Sequence, residues 1–258
     1  MVEGLPVRSS ADQSTSEELK EAKGMKGMRF VVALAAVVLT GSAFGAMYDY
    51  GDFVSSDPDQ VNFMNVEGTA GPNGDSLYGP ATRTRNVLRF TPQIFRAEAK
   101  AENGETVSLS GTLTMQIDAP AQRYIESIRI LEAGTYMLSG VAGVGTSANV
   151  VSSLNLSAGL YDLDVDLDIT PMPPFTNVTG VQTGWSGTTG LIDLTGANLT
   201  SVVLTFTNTL TATNVNGTTA SIEKTYVGEA TSLEVIVPEP VTLVMLAIGA
   251  VGLLGRRR

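Results

Sequence analysis

The chain has 258 residues, and none of them is cysteine or histidine. No disulfide can staple it even in an oxidising compartment, and no thiolate can bind zinc or attack a substrate, so stability has to come from the core. Without imidazole there is no Ser-His-Asp triad, no imidazole metal ligand and no side chain that titrates unperturbed near neutral pH. Basic residues are scarce as well. Between Ala46 and Val237 twenty acidic residues face eight basic ones, and the only lysines are Lys100 and Lys224. A Ser-Lys dyad is the one nucleophile pairing still formally open, and both lysines fall in strand-and-turn contexts that do not favour it. The anionic excess argues against nucleic acid and anionic lipid as partners. Helical periodicity is missing too, so helices are expected only at the two ends.

What is there is short alternation. From Ala46 to Val237 the chain is dominated by Thr, Ser, Asn, Gly and Val, in brief apolar stretches separated by turn residues, which predicts an all-β, single antiparallel sandwich or jelly-roll-like domain. Val107 to Ile117 sets Leu109, Gly111, Leu113, Met115 and Ile117 against Ser108, Ser110, Thr112, Thr114 and Gln116, one face buried and one wet. Ser201 to Thr213 points Val202, Leu204, Phe206 and Leu210 one way. Asn216-Gly217 then predicts a tight hairpin with Thr218 to Tyr226 as the return strand, and Asn103-Gly104 predicts a similar turn. Further strands are expected at 61–66, 87–90, 125–130, 134–140, 150–156, 159–169, 191–195 and 232–237. Gly68 to Pro80 and Thr170 to Thr189 read as long loops, where a binding function would sit.

Few residues invite chemistry. Asp162, Asp164, Asp166 and Asp168 alternate along Tyr161 to Ile169 and should share one strand face, roughly 7 Å between neighbours. They are weak candidates for a calcium column or a polysaccharide-facing surface, against the plainer reading of a solvated face whose like charges discourage edge pairing. Trp185, the single tryptophan, lies in the Gly-rich stretch Thr183 to Gly187, where it could stack on a sugar or pack as a lid on the sandwich end. Arg83, Arg85, Arg89 and Arg96 form a local basic group, either for an anionic polymer or on the wet side of a strand. A glycosidase carboxylate pair cannot be recognised from spacing alone. No cofactor is expected and no enzymatic activity is assigned.

The ends are more informative. Residues 1–24 are polar and aperiodic, as a disordered extension would be. Residues 25–45 have the build of a signal peptide: Lys26 and Arg29, an apolar core from Phe30 to Leu39, and small residues whose Ala43-Phe44-Gly45 pattern predicts cleavage between Gly45 and Ala46, in preference to cleavage after Ala43 on Gly41-Ser42-Ala43. A polar extension ahead of a signal peptide suggests that translation begins at Met25 or Met28, the alternative being an extended n-region removed with the signal. After the domain at 46–236 comes a tail at 237–258. In it Pro238-Glu239-Pro240 makes a rigid break, Val241 to Gly255 is apolar all round, and Arg256, Arg257 and Arg258 follow directly. The apolar run can satisfy its backbone in lipid only as a helix, and the arginines favour the cytoplasmic side. Fifteen residues reach about 22 Å, short of a hydrocarbon core of roughly 30 Å, so thinning of the bilayer or snorkelling of the arginines has to cover the difference.

This order of triplet, apolar helix and arginines resembles the PEP-CTERM sorting signal of exported bacterial proteins. The resemblance implies recognition, and removal of the tail, by an exosortase, after passage through the general secretion machinery and a transient stay in the inner membrane on the C-terminal transmembrane helix. The interior is similar to a group of exported β-sandwich proteins with such tails. The residues that carry this likeness are Asp52-Phe53, Phe63-x-x-Val66-x-Glu67, Leu77-Tyr78-Gly79, Leu88-x-Phe90-x-Pro92-x-x-Phe95, Ile125 to Leu138, Trp185-Ser186-Gly187 and Asn208 to Ala212. That likeness implies no site residues. The expectation is an exported envelope or extracellular protein, structural or adhesive around exopolysaccharide, with a carbohydrate-binding module as the alternative and a glycan-active enzyme as a third reading.

Overall fold

Strand boundaries in the computed structural model follow the alternation of inward and outward side chains. The structure describes residues 46–141, 145–225 and 232–238, all within the unit Val37–Arg258. The expected extension, the signal segment up to Gly45 and the tail from Glu239 lie outside the described residues. In chain order the strands are β1 (Met47–Phe53), β2 (Asn62–Thr69), β3 (Ala81–Thr84), β4 (Val87–Phe90), β5 (Arg96–Ala99), β6 (Glu105–Asp118), β7 (Ser127–Ser139) and β8 (Ser147–Ala158). They continue as β9 (Tyr161–Asp166), β10 (Asp168–Thr170), β11 (Thr183–Thr188), β12 (Ile192–Asp193), β13 (Ser201–Asn214), β14 (Thr219–Lys224) and β15 (Ser232–Ile236). The helical content among the described residues is one 3-10 turn at Thr195–Ala197. None of their helices is long and apolar enough to cross a membrane.

The expected all-β architecture is present as two antiparallel sheets with one core between them. The first sheet runs β1-β2-β6-β13-β8-β9. The second runs β10-β11-β7-β15-β4-β3, with β12 also on β7 and with β14 joining β7 to β5. The spine of the first sheet is the pairing of β6 with β13, continuous from Ser201↔Asp118 to Asn214↔Glu105. Its inner side buries Leu113, Met115, Ile117, Val202, Leu204, Phe206 and Leu210. On its outer side hydroxyls pair rung by rung: Thr106 with Thr213 at 3.1 Å, Ser108 with Thr211 at 2.9 Å and Ser110 with Thr209 at 2.8 Å. The Thr and Ser content read from the sequence is thus the wet half of the alternation.

Four expectations need correction. The Asn216-Gly217 turn forms, with Gly217 at φ 75° and Thr218 N–H donating to Val215 O at 3.0 Å, but it does not close a hairpin. Both edges of β13 are already taken by β6 and β8, so β14 crosses to the second sheet and pairs with β7 and β5. The strands expected at 125–130 and 134–140 are one strand, β7, because Ala133-Gly134 continues the ladder between β14 and β11. The stretch from 159 to 169 is two strands, since β9 pairs with β8 in the first sheet and β10 pairs with β11 in the second. Between them Leu167 turns into the core at 7% exposure. Finally, Thr170 to Thr189 is not all loop. It contains β11, in which Gly187 serves packing: a Cβ there would stand 2.6 Å from Ile169 Cδ1 and 2.9 Å from Glu132 Cγ.

Candidate functional site

Three inward positions that alternation reserves for apolar residues are polar instead. Glu132 sits in β7 between Ile130 and Gly134, Asn208 in β13 between Phe206 and Leu210, and Lys224 ends β14 after Ala220 and Ile222. Glu132 is 1% exposed, Asn208 0% and Lys224 2%, so all three are removed from water. Ser152, which pairs directly with Asn208 across the ladder of β8 and β13, completes the group.

The group is held by its own contacts. Ser152 Oγ donates to Glu132 Oε1, while Asn208 Nδ2 donates to Glu132 Oε2 at 2.7 Å and also to Ser152 Oγ. Lys224 Nζ lies 2.7 Å from the same Glu132 Oε2 as an ion pair. Asn208 Oδ1 has no hydrogen-bond partner among the described residues. Aromatic faces surround the ammonium, with ring centroids of Phe206, Tyr78 and Phe95 at 4.8, 5.2 and 5.4 Å. Tyr78 in turn donates its hydroxyl to Gly111 O at 2.9 Å. A cavity of about 20 Å³, lined by Tyr78, Leu113, Glu132 and Phe206 among others, adjoins the cluster.

Electrostatics follow from burial. Loss of hydration lowers the Lys224 pKa from its ordinary value, opposed by the charge of Glu132 and by contact with it. The Tyr78 hydroxyl is pushed well above its ordinary range, first by burial and then by Glu132. A buried ion pair roughly breaks even against well-packed apolar residues, whereas losing one partner costs about 3–5 kcal/mol. Chemically, the arrangement offers an amine, a carboxamide and a carboxylate in contact in a water-poor space.

The residues singled out in the sequence are scattered. Asp162, Asp164 and Asp166 are exposed on β9, the edge strand of the first sheet, and Asn155 Nδ2 bridges Asp162 and Asp164 at 2.8 and 2.9 Å. Asp168 stands apart in the second sheet, so the expected column of four is a column of three. Among the described residues no group of three or more acidic side chains is placed to hold a metal ion.

Trp185 is 3% exposed in β11, packed over Gly134, and offers no face for sugar stacking. Arg83 is spent on the carbonyls of Phe53 at 3.0 Å and Val61 at 2.7 Å, and Arg96 pairs with Glu98 at 3.1 Å. Ala46 accepts from Ala70 N–H at 2.7 Å. Pro238 follows β15 and accepts from Arg123 Nη1 at 3.2 Å, and Arg123 also pairs with Asp59. Gly45, Glu239, Pro240, Arg256, Arg257 and Arg258 lie outside the described residues.

The sequence did not single out Glu132 or Asn208, and it raised Lys224 only as half of a Ser-Lys dyad. The signal was available for two of them, because Asn208 occupies the gap in the Val202, Leu204, Phe206, Leu210 series, and Lys224 continues Ala220 and Ile222. Glu132 was hidden by the division of β7 into two strands. No family model matches the chain, and no curated protein matches it.

Proposed function

We propose that the protein is an exported component of the cell envelope or extracellular matrix, structural or adhesive around exopolysaccharide. It consists of a signal helix, one β-sandwich domain and a C-terminal transmembrane helix that holds it in the inner membrane until an exosortase removes the tail. The observation that carries this reading is the uninterrupted order of Pro238-Glu239-Pro240, the apolar run to Gly255 and Arg256 to Arg258. A histidine-free, cysteine-free all-β body with its conspicuous polar group sealed inside the core is in keeping with a role played by the intact fold. The carbohydrate-module alternative loses its one tryptophan as a platform, because Trp185 is buried.

The test is fractionation of cells making the full chain or a chain ending at Val237. The full chain is expected in the membrane fraction first and then, shortened at its C-terminal end, in the outer envelope or medium. The truncated chain should bypass the membrane stage. Full-length product recovered soluble from the cytosol with both ends intact would overturn the reading.

A further inference from the structure

We propose that Lys224 and Asn208 become joined by an amide bond between the two sheets, formed by the folded chain itself with Glu132 carrying the protons. The reactants are already in place. Lys224 Nζ and Asn208 Nδ2 sit 2.7 Å each from one oxygen, Glu132 Oε2, the first reaching it from β14 and the second from β13. Holding two reactants against one shared group turns a bimolecular step into an intramolecular one and lowers its entropic barrier. The carbonyl of the acceptor is not committed elsewhere, since Asn208 Oδ1 has no partner among the described residues. The rings of Tyr78, Phe95 and Phe206 surround the amine and replace its hydration with apolar faces.

The step balances without an outside reagent. Glu132 takes a proton from the Lys224 ammonium, leaving a neutral amine and a neutral carboxylic acid, and burial favours that uncharged amine. Rotation of the Asn208 amide about its Cβ–Cγ bond turns the unpartnered Oδ1 toward the Glu132 acid, which polarises the carbonyl. Nζ attacks Cγ, the Nζ–Cγ bond forms, and Glu132 relays a proton from Nζ to Nδ2. The Cγ–Nδ2 bond then breaks and ammonia leaves. Of the five hydrogens on the starting ammonium and amide, three depart in ammonia, one stays on the new amide and one on the Glu132 carboxyl. The adjoining cavity of about 20 Å³ is large enough for one water-sized molecule, which is the size of the leaving ammonia. The product exchanges a buried cation for a neutral amide that can donate to Glu132. It also ties the sheets covalently in a chain that has no cysteine to do so.

The full chain, purified, unfolded and cut with a Glu-specific protease, decides the matter. Cleavage after Glu132, Glu223 and Glu229 separates residues 133–223 from 224–229 unless the bond exists. The expected result is one species containing both fragments, lighter than their sum by one ammonia, about 17 Da, with the link between Asn208 and Lys224. Two separate fragments of unchanged mass from folded protein would overturn the proposal, as would an ammonia loss confined to one fragment. Lys224→Met keeps an apolar side chain of similar length and should give no joined species. Glu132→Gln keeps both reactants and cannot relay the proton, so it should also give none; a joined species from this variant would overturn the part assigned to Glu132.

Discussion

Asn208 and Lys224 reach the same carboxylate oxygen from opposite sheets, each placing a side-chain nitrogen 2.7 Å from Glu132 Oε2. A carboxylate contacted from both layers of a core couples them electrostatically, and its loss would be felt by both. Glu132→Ala should therefore destabilise the fold by about 3–5 kcal/mol, because it leaves the Lys224 cation buried without a counter-charge. The double variant Glu132→Gln with Lys224→Met lacks the same contacts but buries no charge, and should unfold at a higher urea concentration than Glu132→Ala. The opposite order would mean that Lys224 is not charged in the folded Glu132→Ala variant, where no amide bond can form.

Alkali should unfold the protein through its tyrosines. Burial raises the Tyr50 pKa from 10.0 to about 12, and Tyr78 is raised well above 10.0. Between the unfolded and folded values the unfolded chain has shed protons that the folded chain keeps, so stability is whole below the unfolded value and falls as pH climbs toward 12. Tyrosinate absorbance and far-ultraviolet circular dichroism followed together should show the last tyrosines ionising as the β signal is lost. Ionisation of every tyrosine near pH 10 with the β signal intact would contradict the burial.

Gly134 is a glycine for want of room. A Cβ there would stand 2.1 Å from Glu223 O and 2.5 Å from the Trp185 ring, neither the loose end of a flexible side chain. Gly134→Ala is expected to cost about 1–3 kcal/mol or more through overpacking. Since Trp185 is the one tryptophan, its emission should move to the red as the ring is displaced toward water. Gly196→Ala, with open space around it among the described residues, provides the control and should leave the emission unchanged.

The acidic edge of β9 should keep the first sheet from pairing with a second copy. Neutralising Asp162, Asp164 and Asp166 together to Asn removes the repulsion along an exposed strand whose outward backbone groups are open to a partner. Association at concentrations where the unchanged chain shows none, read by sedimentation, is the expected outcome. A rise in melting temperature of the unchanged protein on adding calcium would instead revive the metal reading of these residues.

The sequence by itself determined the class of fold and most strand positions. Alternation of apolar and polar residues is a local property, and β4, β6, β8, β13 and β15 emerge from it within a few residues. It likewise determined what chemistry is excluded, since absent side chains stay absent however the chain folds. Partner choice was decided only in three dimensions. The turn at Asn216-Gly217 is legible, but whether the next strand returns beside β13 or crosses over depends on whether the edges of β13 are already occupied, by residues as far away as β6 and β8. The same holds for Glu132, Asn208 and Lys224. Each looks like an isolated polar residue at an inward position, and only the packing of the two sheets puts one carboxylate, one amide and one amine around a single oxygen, where each makes tolerable the burial of the others.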